Sequence, residues 1–181
     1  HHPSIRQALE MVESGALGDV QFINGRGYFR LPPDDLDNIR LKPELGGGSL
    51  WDIGVYPVSL AITVAGVGAP VEVWGSQITG DTGVDIAFAG QMRFANDVTA
   101  QISSGICSPP NTGLVIVGGE GTLEFRYPTI PMHVSDQEMK IEHTTRSGEK
   151  KTIVIPVTNP YQMEVDALVA CILDGAQPVV P

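Results

Sequence analysis

The stretch Leu45-Gly46-Gly47-Gly48-Ser49-Leu50-Trp51-Asp52-Ile53-Gly54-Val55-Tyr56-Pro57-Val58-Ser59-Leu60 decides how this chain reads. Three consecutive glycines strip the backbone of side chains just ahead of a helical pattern, so another strand or a ligand can come close there. The pattern behind them predicts a helix over 49–65. Ser49 is its candidate N-cap, with Asp52 three residues on as a shortened capping box. Pro57 falls inside this helix and is expected to kink it or disturb a turn. Gly66 and Gly68, with Pro70 beyond, stop it. Asp52 and Tyr56 stand at i and i+4, which puts them on one face of the first turns. A phenol beside a carboxylate can transfer a proton if something lowers the phenol from its ordinary pKa of about 10. The carboxylate alone raises it, so a cation has to come from elsewhere. The same spacing also suits a capping aspartate and a packed tyrosine, and the residues alone leave both readings open.

Working outward, 3–17 reads as a helix. Pro3 sits in its first turn, Ile5, Ala8, Leu9 and Val12 recur at helical spacing, and Gly15 and Gly18 close it. A strand follows over 20–30, then a loop over 31–45, where Pro32-Pro33 and the acidic Asp34, Asp35 and Asp37 argue against regular structure. Downstream the period changes to two, and strands are expected over 71–79, 84–94, 98–107, 113–118, 121–127, 132–143 and 151–157. The turns Ala95-Asn96-Asp97, Gly118-Gly119-Glu120-Gly121 and Arg146-Ser147-Gly148-Glu149 link several of them. Asn159-Pro160 opens a last helix over 161–173, with Val165, Leu168, Val169 and Ile172 as its expected buried stripe. Strands in succession with short turns imply an α+β domain: an open, mostly antiparallel sheet with helices packed on one face. No regular βαβ alternation and no GxGxxG after a strand is present, so a Rossmann-type dinucleotide site is not expected in this domain.

Eleven basic residues against 21 acidic ones give a net charge of −10. Such a surface repels phosphate backbones and anionic headgroups, which argues against nucleic acid and membrane as partners. Its longest apolar stretch, 53–67, is too short and too interrupted for a bilayer span. Cys107 and Cys171 lie far apart and read as reduced, buried thiols of a cytoplasmic protein. The histidines show no ligand spacing, and no metal site is expected.

Gly46 to Tyr56 closely resembles the GGGxLxDxGx[HY] signature of the Gfo/Idh/MocA oxidoreductase family. His2-Pro3 with Ser14-Gly15-Ala16-Leu17-Gly18-Asp19-Val20 is similar to the helix and turn that follow that family's Rossmann domain. Asn38 to Leu45 resembles its loop before the glycines, and Tyr161-Gln162-Met163-Glu164 its late Tyr-xx-Glu helix. The resemblance implies a GAPDH-like C-terminal domain, one substrate-binding, catalytic and oligomerisation domain over 1–181, trimmed at both ends and without its Rossmann partner. It implies NAD or NADP, bound mainly by an N-terminal domain that also supplies a catalytic lysine, the cation missing beside the Asp/Tyr pair. Tyr56 then resembles the acid/base and Asp52 the residue that orients substrate hydroxyls. The tyrosine form is similar to the dihydrodiol, xylose and glucose–fructose branches.

Around that pair, Arg40, Arg30 and Trp51 are candidate substrate contacts, with Tyr28 a weaker stacking candidate, and Gly46, Gly47 and Gly48 are candidate cofactor neighbours. Two functions follow from the resemblance. One is the substrate-side half of an NAD(P)-dependent dehydrogenase acting on a CH–OH group of a sugar, polyol or diol, inactive as the isolated fragment. The other is a non-catalytic binding or oligomerisation module. Either implies a homodimer or homotetramer formed through the open sheet face.

Overall fold

The structure, a computed structural model, describes residues 2–32, 34–126 and 138–177. Its elements run α1 (Pro3–Glu13), β1 (Val20–Arg30), α2 (Val55–Ala65), β2 (Glu72–Thr79), β3 (Asp85–Arg93), β4 (Thr99–Gly105), β5 (Cys107–Gly118), β6 (Gly121–Arg126), β7 (Met139–Thr145), β8 (Lys150–Ile155) and α3 (Pro160–Leu173). The eight strands form one sheet in the order β2-β3-β4-β1-β5-β6-β7-β8. The expected α+β class and open, mostly antiparallel sheet are therefore present. Two antiparallel meanders, β2-β3-β4 and β5 to β8, are joined by β1 between them, which runs parallel to β4 and antiparallel to β5.

The register explains why a single face is buried. One cross-sheet row reads Met92, Ala100, Ile23, Ile116, Leu123, and the next reads Gly90, Ile102, Gly25, Leu114, Phe125, Ile141. Most of these side chains are buried in one continuous core together with Ala8 of α1 and Leu60, Ala61, Val64 and Ala65 of α2. Alternation along each strand sends the residues between them to the other face. Gly25 is a gap in the second row, and Gly27, paired with Ser104 and Thr112, is a gap in the next. A Cβ at Gly25 would lie 2.7 Å from the Pro57 Cβ, and one at Gly27 would lie 2.8 Å from Ile53 Cγ1. The two glycines let the segment around 50–57 rest directly on β1.

Several sequence expectations need correction. α1 stops at Glu13, where Gly15 at φ 75° closes a Schellman motif: Ala16 N–H bonds to Met11 O and Gly15 N–H to Val12 O. The loop over 31–45 contains two short 3-10 turns, Ile39–Leu41 and Pro43–Leu45. β5 begins at Cys107 rather than at 113, running through Pro109-Pro110, because its early part pairs with the end of β1. The strand expected over 132–143 lies in part outside the described residues; 139–145 form β7. The helix expected over 49–65 starts as a π-helical turn, Leu50–Gly54, before becoming α2. Pro57 supplies a reason, since it lacks an N–H and its ring crowds the carbonyl four residues back, that of Ile53. Ser49 is not an N-cap; its backbone is already helical and its side chain makes no capping bond to the helix.

The stripe Val165, Leu168, Val169 and Ile172 of α3 is exposed, not buried. Helical spacing marks an apolar face but not what covers it; of α3, Met163 lines a cavity shared with Pro3 and Arg6 of α1 and Ile153 of β8. Cys107 is exposed and Cys171 half-buried, so neither is a core thiol. The run 43–65 is apolar enough in composition to cross a bilayer. It is nevertheless broken at the glycines, and Ile53, Pro57, Leu60, Ala61 and Val64 of its inner side are buried.

The close approach at β1 yields a first prediction. Gly25→Ala should destabilise the protein by about 1–3 kcal/mol in urea unfolding, the usual cost of overpacking. Gly119→Ala, whose Cβ would meet only Gln21 Nε2 at 3.7 Å, should be nearly neutral by comparison.

Candidate active site

The π-helical turn and the first turn of α2 carry Trp51, Asp52 and Tyr56, pressed toward the sheet by Ile53 and Pro57. Tyr56 points away from that contact and is 46% exposed. Its phenol is not sealed in the apolar interior, as a packing role alone would have allowed. Asp52 is half-buried, and its Oδ1 lies 2.7 Å from Arg40 Nε. The Nε–H does not point along that line, so the contact is an ion pair by proximity rather than an in-line hydrogen bond. The Arg40 guanidinium also stands 5.7 Å from the centre of the Phe29 ring. That cation–π contact is worth about 0.5–1 kcal/mol at a partly exposed site, comparable with the ion pair itself. Together they fix where the guanidinium sits more than they stabilise the fold.

Arg40 in turn is held by its loop. Asn38 Oδ1 accepts from Arg40 N–H at 3.0 Å, and Asp35 Oδ2 accepts from Asn38 Nδ2 at 2.8 Å. The Arg40 carbonyl accepts from Gly48 N–H at 2.9 Å. The acidic loop therefore has an ordered part whose product is the placement of Arg40 against Asp52.

Burial raises the Tyr56 phenol above its ordinary value of 10.0, and the nearby Tyr161, Asp52 and Glu164 raise it further, while Arg40 pulls the other way. Asp52 and Tyr56 thus share a field, as their spacing suggests. Arg40 is the cation in reach, but it is neutralised by Asp52 and does not reverse the shift. Tyr161 and Glu164, at the start of α3, belong to the same neighbourhood. Sequence reasoning noted them only as part of a resemblance, because nothing in a linear spacing joins 56 to 161.

The other candidates divide. Trp51 is 71% exposed on the turn next to Asp52 and open to a ligand. Arg30 ends β1, exposed and in register with Cys107, and takes no part in the interactions around Asp52. Tyr28 lies against Gly105 on the sheet. The three glycines serve internal geometry. Gly46 turns the chain at φ 72°, a Cβ on Gly47 would strike the Arg40 carbonyl at 2.6 Å, and Gly48, at φ 117°, has its Cβ position filled by the Asp85 carboxylate. Asp85 Oδ2 also accepts from the Leu50 N–H at 2.9 Å and the Ser49 hydroxyl at 2.6 Å. A carboxylate where a phosphate would dock, on a turn whose first N–H is already used, does not suit a dinucleotide's pyrophosphate.

Asp85 itself escaped the sequence reading. Its signal was a lone acid between Val84 and Ile86 at the start of a strand, where an apolar residue would be routine.

Residues 5–124 match the family described as GFO/IDH/MocA C-terminal domain. Over 179 residues the chain is 32% identical to D-xylose 1-dehydrogenase (NADP(+)) 2 of Haloferax volcanii, covering 98% of this chain and 53% of that one. Among solved structures, the fold resembles a 3-ketoreductase from Actinomadura kijaniata in complex with NADP and TDP-benzene, with TM-score 0.85, 23% identity, and coverage of 99% of this chain and 54% of that one. It also resembles aldose-aldose oxidoreductase from Caulobacter crescentus complexed with glycerol, with TM-score 0.84, 27% identity, and coverage of 99% and 53%. The chain spans about half the length of the relatives it matches. By the family match, by the relatives and by the shape of its sheet, this chain belongs to the Gfo/Idh/MocA family as a C-terminal domain.

Proposed function

We propose that this domain is the substrate side of an NAD(P)-dependent oxidoreductase acting on a CH–OH or carbonyl group of a sugar, polyol or diol. The observation that carries the reading is the half-exposed Tyr56 phenol beside an Asp52 carboxylate that Arg40 holds in place. Hydride chemistry belongs to the nicotinamide. The glycine run does not suit the dinucleotide's phosphates, so we assign to this chain the proton and the orientation of substrate, with Gly46–Gly48 flanking the reactive end.

With its pKa raised, Tyr56 is a neutral acid at physiological pH. It can donate a proton to a carbonyl oxygen undergoing reduction. Running the reaction as an oxidation requires it to accept that proton, and a cation close to the phenolic oxygen would match its pKa to that task. The family resemblance supplies a lysine for this role. Arg40 lies against Asp52 Oδ1, and we assign Oδ2 to accept from a substrate hydroxyl. Trp51, exposed beside Asp52, is the side chain we assign to substrate contact, and Arg30 is not placed there. A relative that acts on D-xylose supports a sugar. The two unbonded cysteines suit a cytoplasmic setting.

The free face of the sheet supports self-association. Trp74 and Ile78 of β2 share that face with Gln91, Gln101 and Ser103, and both are exposed. Among the described residues Trp74 and Ile78 stay exposed on this side, and we assign it to a homodimer or homotetramer contact.

Three outcomes follow. In turnover of D-xylose with NADP by the enzyme restored with a cofactor-binding domain, Tyr56→Phe should lower kcat by roughly two orders of magnitude, the ordinary scale for losing acid/base assistance; an unchanged kcat removes Tyr56 from the mechanism. In near-ultraviolet difference spectra without cofactor, the Tyr56 phenol should ionise above pH 10, so the tyrosinate signal lost in Tyr56→Phe should lie at the alkaline end of the titration. The 181-residue chain by itself should bind NADPH weakly in a fluorescence titration, and a dissociation constant below about 1 μM would contradict the assignment of the phosphates to residues outside it.

A further inference from the structure

The turn that carries Trp51 and Asp52 needs a cap, and its own sequence does not provide one. The first N–H groups of a helix have no partner within it, and the Ser49 side chain bonds elsewhere. The acceptor comes from the first residue of β3. Asp85 Oδ2 takes the Leu50 N–H at 2.9 Å and the Ser49 hydroxyl at 2.6 Å, the latter in the range of a charge-assisted bond. Ser49 is buried, and its Oγ lies 3.0 Å from the buried Ser104 Oγ of β4, so one hydroxyl ties the start of the turn to two strands.

Gly48 follows from the same contact, because the Asp85 carboxylate occupies the space a side chain there would need. The Gly48 carbonyl then accepts from Asp52 N–H at 3.1 Å, and its N–H donates to the Arg40 carbonyl at 2.9 Å. Arg40 closes the circuit by pairing with the Asp52 carboxylate. Asp52 is thus fixed twice, through its side chain by Arg40 of the loop and through its backbone by Gly48, whose free side Asp85 fills.

We infer that Asp85 is a positioning residue for the Asp52–Tyr56 pair, acting through Leu50, Ser49 and Gly48 without touching substrate. This rests on the proposed function where turnover is concerned, but the placement can be measured without turnover. Since burial and Asp52 both raise the Tyr56 phenol, with Tyr161 and Glu164 adding and Arg40 opposing, that phenol reports the geometry of the turn.

The test uses the full protein labelled with 13C at tyrosine Cζ, with Tyr56→Phe to assign the resonance. Asp85→Ala should move the Tyr56 titration down toward the ordinary phenol value of about 10. Asp85→Asn, which loses the charge but keeps a carbonyl acceptor, should retain most of the elevation. Ser49→Ala, which removes one of the two bonds and is the milder change should Asp85→Ala fail to fold, should give a smaller downward shift. In assays with D-xylose and NADP, Asp85→Ala should reduce kcat by about tenfold or more while KM changes far less, as expected when reacting groups are misaligned.

A Tyr56 titration that is the same in Asp85→Ala, or in Ser49→Ala where the former does not fold, overturns the assignment. So does an Asp85→Asn variant as disturbed as Asp85→Ala, because then charge and not placement is at work. Full activity in Tyr56→Phe would instead sink the functional reading and leave the titration to decide the role of Asp85.

Discussion

The contact between β1 and the segment 50–57 governs the rest of the structure. A helix normally stands off a sheet by the length of the side chains between them. Here Gly25 and Gly27 remove those side chains from the strand, so Pro57 and Ile53 sit nearly on its backbone. Gly54 does the same from the helix side, where a Cβ would lie 3.0 Å from Ser104 Oγ. The approach is close enough for Ser49 to reach both Ser104 and Asp85, which a conventional separation would not permit. With the inner side committed this way, Trp51, Asp52 and Tyr56 are turned to the outer, open side. The geometry of the candidate site is therefore set by missing side chains on a strand some 30 residues earlier as much as by the residues of the site.

Electrostatics then separates the tasks of three neighbours. Arg40 is near enough to Asp52 for a strong local attraction, yet both are partly in solvent, and such pairs contribute only about 0.2–1 kcal/mol to folding. Its consequence is directional: one carboxylate oxygen is occupied, and the negative charge that Tyr56 feels is partly cancelled. What remains on the phenol is a desolvation effect reinforced by Asp52, Tyr161 and Glu164. That environment keeps the proton on Tyr56. A phenol so held is an acid, and converting it into a base needs a positive charge that the described residues do not bring to it. The i,i+4 spacing in the sequence pointed to the same shortage.

The helix stops, the hairpin turns and the period of the strands were legible because each depends on residues close in sequence. The Asn159 cap of α3 and the turn at Asp97 are of this kind. Long-range choices were not legible. Nothing in 20–30 says that β1 lies between two meanders and parallel to β4, and nothing at Pro109-Pro110 announces that β5 continues through them. Ser49 looked like a cap by residue type, but its backbone is already helical, its hydroxyl donates to Asp85, and Asp85 accepts the Leu50 N–H in its place. The apolar stripe on α3 was read correctly as apolar and wrongly as buried, because periodicity reports on the helix and not on its surroundings. For the candidate site, the pair Asp52 and Tyr56 was readable, as was Arg40 as a participant, but not that Arg40 would face Asp52 directly.

The glycine run illustrates how one motif can look like a ligand cradle and be something else. Glycines ahead of a helix start commonly expose N–H groups to an anion. In this chain the anion is the protein's own Asp85, and it takes the Leu50 N–H while filling the space beside Gly48. A phosphate at the same place would meet a carboxylate and find its donor taken. The glycines therefore belong to the positioning of Asp52 from behind, and any dinucleotide must be gripped by residues other than these. Tyr56 itself stays half-exposed, within the field of Tyr161 and Glu164 at the start of α3.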